Sequence, residues 1–276
     1  FINCTQCGPR YTLIESLPYD RPNTSMANFP LCPECEAEYL DPRNRRFHAE
    51  PVACSACGPQ LSFAGSNDPL AGAVDAIRAG KIVAVKGIGG YHLVCDARNE
   101  TAVARLRERK RRPDKPLAVM FPVAGSDGLD VARRFVEFDP VEAEVVRGPM
   151  RPIALATRRH DGGLAPGVAP GLGEIGVFLP YSPLHELLLA AVEGPIVATS
   201  GNISGEPVLT HNDEAAERLA PIADAFLQHD RPIVRPDDDP VFRRIDGAMR
   251  PIRIGRGCAP RELELPWPVA VPTLAV

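Results

Sequence analysis

The stretch that decides the organisation of this chain is LCPECEAEYLDPRNRRFHAEPVACSACGP, residues 31–59. It contains two cysteine pairs, Cys32/Cys35 and Cys54/Cys57, each separated by two residues. Two thiolates at this spacing bind one metal ion from a single turn, and a tetrahedral zinc site needs two such pairs. Eighteen residues lie between the pairs, which is a workable zinc-ribbon spacing. The pattern predicts one zinc ion held by Cys32, Cys35, Cys54 and Cys57.

A third pair, Cys4 and Cys7, precedes this stretch. The motif CxxCGP begins at both Cys4 and Cys54. The repeat indicates that each copy ends a finger. Cys4 and Cys7 are therefore predicted to be the second half of an earlier metal site, whose first half lies upstream of Phe1. We expect the chain to be an internal piece of a longer protein.

The chain has 276 residues, a formal net charge of −4 and 45% hydrophobic residues. This length suits one full domain with a smaller one, and the composition is that of a globular protein. The negative net charge disfavours a nucleic-acid binder, although a local basic cluster would still allow one. No apolar run approaches the roughly 20 residues that span a bilayer. Paired thiols without a secretion signal favour a reducing compartment, so we expect a cytoplasmic, metal-binding protein.

Residues 1–62 are rich in Cys, Pro, Arg and Asn, lack helical periodicity, and hold too little apolar material for a core. We therefore expect the metal to stabilise this segment. Residues 65–69 are typical of a linker, beyond which helices and strands alternate. The predicted helices are 70–79, 100–111, 183–192 and 213–219, and the predicted strands are 82–85, 117–121, 153–157, 175–179, 196–199, 241–245 and 252–254. Such alternation is typical of an α/β sheet domain, which binds ligands beyond strand ends.

Basic residues gather in KRRPDK, residues 110–115, where a predicted helix ends and a strand begins. Lysine is a point charge and arginine a planar fork, and both match phosphate oxygens. The residues alone leave two interpretations open, a solvated helix end and a polyphosphate clamp. Pro113 and Pro116 stiffen this crossing, so its side chains would need less ordering when a ligand binds.

Three further segments carry groups that suit a nucleotide. Residues 199–205 follow a strand and offer hydroxyls, an amide and backbone N–H groups to an anion. Residues 86–93 contain glycines that permit close backbone approach, and Tyr91 could stack on a base. Residues 235–239, with Arg253 and Arg256 downstream, place acids beside arginines and could hold Mg²⁺ and phosphates. Ordinary turns and a salt-bridged loop are the alternatives for these segments.

Taken jointly, the segments resemble the HypF family, the carbamoyltransferases of nickel–iron hydrogenase maturation. CPEC…EYLDPRNRRFHAEPVACSACGP resembles the second zinc finger of that family. Five further segments resemble the YrdC-like domain of that family: KGIGGYHLVCDA, LRERKRRPDKPLAVMF, APGLGEIGVFLPYSPLHELLL, TSGNISGEP and RGCAP. The resemblance implies a zinc-finger region over 1–62, a YrdC-like nucleotide-binding domain over 68–265, and a linker over 266–276. The acylphosphatase and transferase domains that flank these parts in the family would lie outside the chain.

The implied fold is α/β, a twisted open mixed sheet of the YrdC-like type with helices, preceded by a small Cys4 zinc-finger module. The YrdC-like pattern KxR…SxN falls on Lys110, Arg112, Ser200 and Asn202, with Lys110 and Arg112 implied as the catalytic cations. Further residues implied near the nucleotide are Lys86, Tyr91, Arg235 and Arg253. The implied cofactors are zinc and ATP with Mg²⁺. Two departures from the family pattern are Pro240, where relatives usually carry serine, and Cys258, where they usually carry tyrosine.

The activity implied by the resemblance is the joining of carbamate to ATP, which gives carbamoyl adenylate and pyrophosphate. Carbamate would come from carbamoyl phosphate, and the carbamoyl group would pass to the C-terminal cysteine of a HypE-type partner. Two alternatives stay open: a threonylcarbamoyl adenylate synthase of tRNA modification, and a zinc-dependent nucleic-acid-binding module. The finger disfavours the first alternative, and the net negative charge disfavours the second.

Overall fold

The structure, a computed structural model, describes residues 9–203 and 205–258 together with Trp267 and Val271. Cys4 and Cys7, the predicted half-site, lie outside the described residues, as does nearly all of the predicted linker 266–276. The outer boundaries of the three predicted parts therefore stay predictions.

The described part of the chain forms seven α-helices and eleven strands. The helices are α1 Pro9–Leu13, α2 Pro33–Leu40, α3 Pro69–Arg78, α4 Glu100–Lys110, α5 Pro140–Arg147, α6 Pro183–Val192 and α7 Asn212–Arg218. The strands are β1 Leu61–Phe63, β2 Val83–Lys86, β3 Tyr91–Asp96, β4 Val119–Met120, β5 Val136–Glu137, β6 Ile153–Arg158, β7 Glu174–Phe178, β8 Ile196–Ser200, β9 Ala225–His229, β10 Val241–Ile245 and β11 Ala248–Arg253. Among these described helices, none is long and apolar enough to cross a membrane.

Local sequence signals account for where the helices start. The side chains of Asp68, Asn99 and Ser182 each accept a hydrogen bond from a backbone N–H in the first turn of α3, α4 and α6. Such caps satisfy donors that have no partner inside the helix. Helix α4 ends at Lys110, and the backbone of the next residue, Arg111, is left-handed with φ 50°. The chain therefore turns sharply just where the basic segment begins.

One mixed sheet forms the centre of the molecule, with strand order β1-β9-β2-β3-β8-β4-β7-β6-β10-β11 and β5 paired beside β6. Strands β2/β9, β4/β7 and β6/β10 pair in parallel, and the remaining neighbours pair antiparallel. The predicted α/β class with an open mixed sheet is confirmed. Strand β3 is not among the predicted strands. The glycine-containing segment 86–93 runs directly into it, and β3 pairs antiparallel with β8.

Helices cover the sheet on both faces, because its central strands are apolar on both sides. On one face, Leu93 and Val197 of the sheet pack with Val103 and Leu106 of α4. On the other face, Val85, Val94 and Ile196 pack with Ile77 of α3 and Leu188 of α6. This arrangement fixes the ends of β3 and β8, where the polar segments begin.

The finger region is more structured than its sequence indicates. It contains α1 and α2, although residues 1–62 show no helical periodicity. Helix α2 has proline at its first position, which favours the start of a helix, and it includes Cys35 of the four-cysteine cluster. Arg21 is buried and donates to the carbonyls of Phe29, Glu50 and Val52, so one guanidinium joins the segments around the finger. Strand β1, which follows the second cysteine pair, pairs antiparallel with β9 and adds the finger to the edge of the sheet.

Candidate functional site

The four cysteines of the quoted stretch converge. The Sγ atoms of Cys32, Cys35, Cys54 and Cys57 all lie within 4.8 Å of one another, and Cys54 Sγ lies 3.7 Å from those of Cys32 and Cys57. A tetrahedral zinc ion with Zn–S bonds of about 2.3 Å places its sulfur ligands about 3.8 Å apart. The donor set and spacing therefore fit a zinc-finger site with all four positions filled by thiolates.

Lys110, Ser200 and Asn202 meet at the end of β8. Lys110 Nζ donates to the backbone carbonyls of Ser200 and Asn202 and, at 2.9 Å, to Asn202 Oδ1. The Ser200 hydroxyl donates to the same Oδ1 at 2.8 Å. The ammonium therefore holds the loop after β8 in place, and the sequence-predicted pattern forms one cluster in space.

Arg107, which sequence reasoning missed, organises the basic segment. Its guanidinium donates to the carbonyls of Arg112 at 2.7 Å, Pro113 at 2.9 Å and Lys115 at 3.2 Å. It also reaches the carbonyls of Gly167 and Val168, on the neighbouring turn. The available signal was its position three residues before Lys110, which puts both residues on the same face of α4. The neighbouring residues are also charged, so the sequence did not indicate that Arg107 is buried.

The cations of this cluster are held close together. Burial and the nearby charge of Arg112 lower the pKa of Lys110 to about 7, an effect that Asp238 partly opposes. Burial and the charges of Arg107 and Arg253 lower the pKa of Arg112 to about 10. A polyanion placed among these groups would relieve their mutual repulsion, since an opposite charge favours the protonated form.

A cavity of about 340 Å³ opens beside the cluster. Its cations are Arg112, Lys115 and Arg253, and Ser200 and Asp238 also line it. The small residues Ala118, Gly176 and Ala198 lie along its sheet side. A cavity with small apolar residues on one side and convergent charged groups on the other is the usual form of a ligand site. Lys110 is 4% exposed and lies behind this lining rather than in it.

A buried polar group supports the cavity from the side of β10 and β11. The Asp239 carboxylate lies 2.9 Å from His92 Nε2 and accepts from Arg256 Nε at 3.0 Å. Burial alone would raise the pKa of Asp239, but His92 and Arg256 outweigh burial and hold that pKa below its usual value. The backbone carbonyl of Asp239 accepts from Nε and Nη2 of Arg253 at 3.0 and 2.8 Å. Arg253 therefore reaches the cavity from a fixed base.

Asp237 and Asp238 are less engaged inside the protein than Asp239 is. Asp237 Oδ2 is buried without a hydrogen-bond partner among the described residues, and burial raises the pKa of this carboxyl to about 6. Asp238 Oδ2 lies 3.5 Å from Arg253 Nη1. Both residues line the cavity. Asp239, in contrast, uses both carboxylate oxygens internally and is withdrawn from any metal.

Three residues expected near the nucleotide have different surroundings: Tyr91 lines the cavity that contains Arg112 and Arg253, whereas Lys86 and Arg235 do not. The Tyr91 ring is 1% exposed in the core, with its hydroxyl bound to Asn212 and Gln228, so it has no free face on which a base could stack. Lys86 lines a separate cavity beside the finger. Arg235 donates to backbone carbonyls of Tyr11 and Ile14 and lies outside the described lining. Arg235 instead connects α1 of the finger region to the segment that continues into Asp237, Asp238 and Asp239.

Comparison with known proteins accords with this geometry. Residues 75–255 match the Sua5/YciO/YrdC family model, which is described as telomere recombination. The chain belongs to the Sua5/YciO/YrdC family. Residues 31–64 match the model of the HypF finger, which agrees with the four-cysteine cluster. These matches confirm the resemblance drawn from the sequence motifs.

The similarity to HypF extends over nearly the whole chain. The carbamoyltransferase HypF of Rhodobacter capsulatus is 50% identical over 96% of this chain and 35% of its own length. A crystal structure of full-length HypF in the phosphate- and nucleotide-bound form is 46% identical, with a TM-score of 0.87 over 94% of this chain and 34% of that one. The chain spans about a third of the length of these relatives.

A more distant similarity concerns the first alternative function. The threonylcarbamoyl-AMP synthase of Pyrococcus abyssi is 34% identical over 51% of this chain and 41% of its own length. The Rhodobacter capsulatus HypF matches almost twice as much of the chain.

Proposed function

We propose that the chain is the finger and YrdC-like part of a HypF-type carbamoyltransferase, and that its cavity joins carbamate to ATP. The observation that carries the proposal is the convergence of Arg112, Lys115 and Arg253 on one cavity that also holds Asp237 and Asp238. A triphosphate with its metal ion needs this pairing of cations with carboxylates. The nucleotide-bound HypF relative supports the assignment.

In the proposed reaction, a carbamate oxygen attacks the α-phosphorus of ATP and pyrophosphate leaves from the opposite side. One P–O bond forms and one breaks, so the products are carbamoyl adenylate and pyrophosphate. Negative charge builds on the leaving pyrophosphate, where fixed cations stabilise it most. We assign this role to Arg112 and Arg253, because both guanidinia donate to backbone carbonyls and line the cavity.

Lys110 acts beside this pair in the proposal. Its ammonium fixes Ser200 and Asn202, whose polar groups would then orient the phosphates or the carbamoyl group. With a pKa of about 7, Lys110 is only partly protonated before a nucleotide binds. Phosphate oxygens would raise that pKa, so the positive charge would be completed by the substrate that needs it.

Magnesium would be held by Asp237 and Asp238, since oxygen ligands suit this ion and Asp237 has an unused oxygen in the cavity. Bound there, Mg²⁺ would neutralise phosphate charge. The absence of serine at Pro240 removes one hydroxyl from the same turn, and the two carboxylates remain in place without it.

The proposed role of the chain in the whole protein follows from the HypF relatives. Carbamate would arise from carbamoyl phosphate in an acylphosphatase domain, and a transferase domain would pass the carbamoyl group to the C-terminal cysteine of a HypE-type partner in the cytoplasm. Carbamate is short-lived in water, so exclusion of water from the cavity during the reaction would suit this chemistry.

Pyrophosphate release from ATP and Mg²⁺ in ammonium bicarbonate, which supplies some carbamate, tests the proposal. We expect release by the wild type, with a loss of about 100-fold or more in Arg112→Gln and Arg253→Gln. Arg250→Gln, at an exposed position on β11, is the matched control. Release that depends on threonine with bicarbonate would instead establish the threonylcarbamoyl adenylate alternative. Turnover of carbamoyl phosphate by this chain would contradict the division of labour.

A further inference from the structure

A second cavity, of about 570 Å³, lies between the finger and the sheet. Pro51, Ser55 and Leu61 line it from the finger side, and Lys86, Arg231 and the first residues of α6 line it from the sheet side. None of these sheet-side groups takes part in the adenylation proposed above. The cavity therefore poses a separate question, which is what its two cations bind.

Arg231 is the most unusual residue of this cavity. Its guanidinium makes no hydrogen bond or ion pair with the residues that the structure describes, and its Nε atom is buried without a partner. Burial alone lowers the pKa of Arg231 to about 10, with no carboxylate to oppose the effect. Arg231 is half-buried as a residue, and a partly desolvated cation without a partner is destabilising, because nothing replaces the hydration that it loses.

Lys86 adds a second charge to the same space. Its side chain is 3% exposed and its Nζ donates to the carbonyl of His229 at 3.0 Å. Burial and the charge of Arg231 lower the pKa of Lys86 to about 8, with only partial opposition from Asp230. The Asp230 carboxylate is itself engaged, since it accepts from the backbone N–H of Gln60 at 2.8 Å.

The start of α6 makes the cavity still more electropositive. This ten-residue helix begins at Pro183, and Ser182, Pro183 and Leu184 all line the cavity. The N-terminal end of a helix carries partial positive charge and favours anions. The helix end, the ammonium and the unpartnered guanidinium are independent features, and they face one space.

We propose that this cavity is a binding site for a small oxyanion, held by Arg231 and Lys86 at the start of α6. Phosphate and carboxylate groups share the required chemistry, namely oxygen atoms with delocalised negative charge that accept from a guanidinium and an ammonium. The apolar side chains of Met26, Leu61 and Leu187 would exclude water around the ion pair. The site differs from the nucleotide cavity in every charged residue that lines it.

Binding of inorganic phosphate and of acetate to the zinc-loaded protein tests the proposal by titration calorimetry, with the nucleotide cavity saturated by ADP and Mg²⁺. We expect one of the two anions to bind, and Arg231→Gln and Lys86→Met to weaken it by about 10-fold or more. The exposed Arg250→Gln should leave the affinity unchanged. Phosphate alone would identify a phosphoryl ligand, and acetate alone a carboxylate.

Melting curves keep the test decisive if a variant alters the fold. In anion-free buffer, Arg231→Gln should melt at or above the wild-type temperature, because it removes a half-buried charge without a partner among the described residues. The anion should raise the melting temperature of the wild type and leave that of Arg231→Gln unchanged. Binding of neither anion, or equal binding by wild type and Arg231→Gln, would overturn the proposal.

Discussion

The Nζ atom of Lys110 lies 2.9 Å from Oδ1 of Asn202, although 92 positions separate the two residues in the chain. The contact joins the end of α4 to the loop after β8, so the two halves of the KxR…SxN pattern form one structure. It also removes the ammonium from water, which lowers the pKa of Lys110 to about 7.

Nucleotide affinity is expected to fall as the pH rises from about 6.5 to about 8.5. The protonated Lys110 favours phosphate, and this form is lost as the pH rises through its pKa near 7. The fall should approach tenfold per pH unit above that pKa. Titration calorimetry of the wild type and Lys110→Met measures it, and the variant should bind weakly with little dependence on pH. The same pH profile in both proteins would contradict this role of Lys110.

The free energy of unfolding of the nucleotide-free protein should change in the opposite direction. The pKa of Lys110 is lower in the folded state than in the unfolded chain, where it is about 10.4. The unfolded state therefore binds more protons between these values, and the contribution of Lys110 to stability increases as the pH rises across this window. Urea unfolding at several pH values should show a smaller rise in Lys110→Met than in the wild type, because the lowered pKa of Lys86 still contributes to the rise in the variant.

One zinc ion per chain should be bound firmly by Cys32, Cys35, Cys54 and Cys57, whose sulfur atoms already converge. Cys32→Ser and Cys54→Ser are expected to lose the metal, because a tetrahedral thiolate site tolerates few missing ligands. Cys4→Ser should retain it. Elemental analysis of the purified variants decides the matter, and equal zinc loss from Cys4→Ser would mean that the cysteines are grouped differently.

Arg107→Met is expected to weaken nucleotide binding by about tenfold although Arg107 does not line the cavity. Its guanidinium holds the carbonyls of Arg112, Pro113 and Lys115, so its loss should free the basic segment. Hydrogen exchange over residues 111–117 should increase in parallel. Arg111→Met, at the exposed neighbouring position, is the control. Weaker binding without faster exchange would show that loop order is not the cause.

Asp239→Asn should destabilise the protein by about 3–5 kcal/mol, because it leaves the buried Arg256 without its charge partner. The folded pKa of Asp239 lies below its usual value, so its contribution is present at neutral pH and is lost as the pH falls below about 4. Denaturant unfolding measures the loss, and Asp161→Asn, at an exposed position, should have no effect. A stability change equal to that of this control would disprove the role assigned to Asp239.

Local patterns predicted most of the sheet domain. Helix α6 and strand β10 match their predicted bounds, and α3, α4, β6 and β7 differ from theirs by one residue at one or both ends. These segments combine strong periodicity with caps or turn residues, which act within a few positions of the chain. Strand β9 was missed because its exposed and buried residues do not alternate cleanly, and its position depends on pairing with β1 and β2.

The candidate site was predictable where charge and spacing carried the signal. The four cysteines converge on one another, as their spacing indicated. At a separate site, Lys110, Arg112, Ser200 and Asn202 lie close together, as their pattern indicated. The sequence could not show that Tyr91 faces the core, since a tyrosine after glycines suits either place. The sequence grouped Arg256 with the three aspartates and left a salt-bridged loop open, but it could not show that Asp239 is the aspartate that pairs with Arg256, because the long-range approach of two loops decides this.

The pairing of β1 with β9 gives the metal an effect beyond the finger. Without β1, the backbone of β9 would become a bare sheet edge with unpaired N–H and C=O groups, which invites the strands of other molecules. Chelation should therefore promote self-association through this edge as well as loosening the cysteines. Zinc in this chain would then protect solubility, because it would keep the three-residue strand β1 paired with β9.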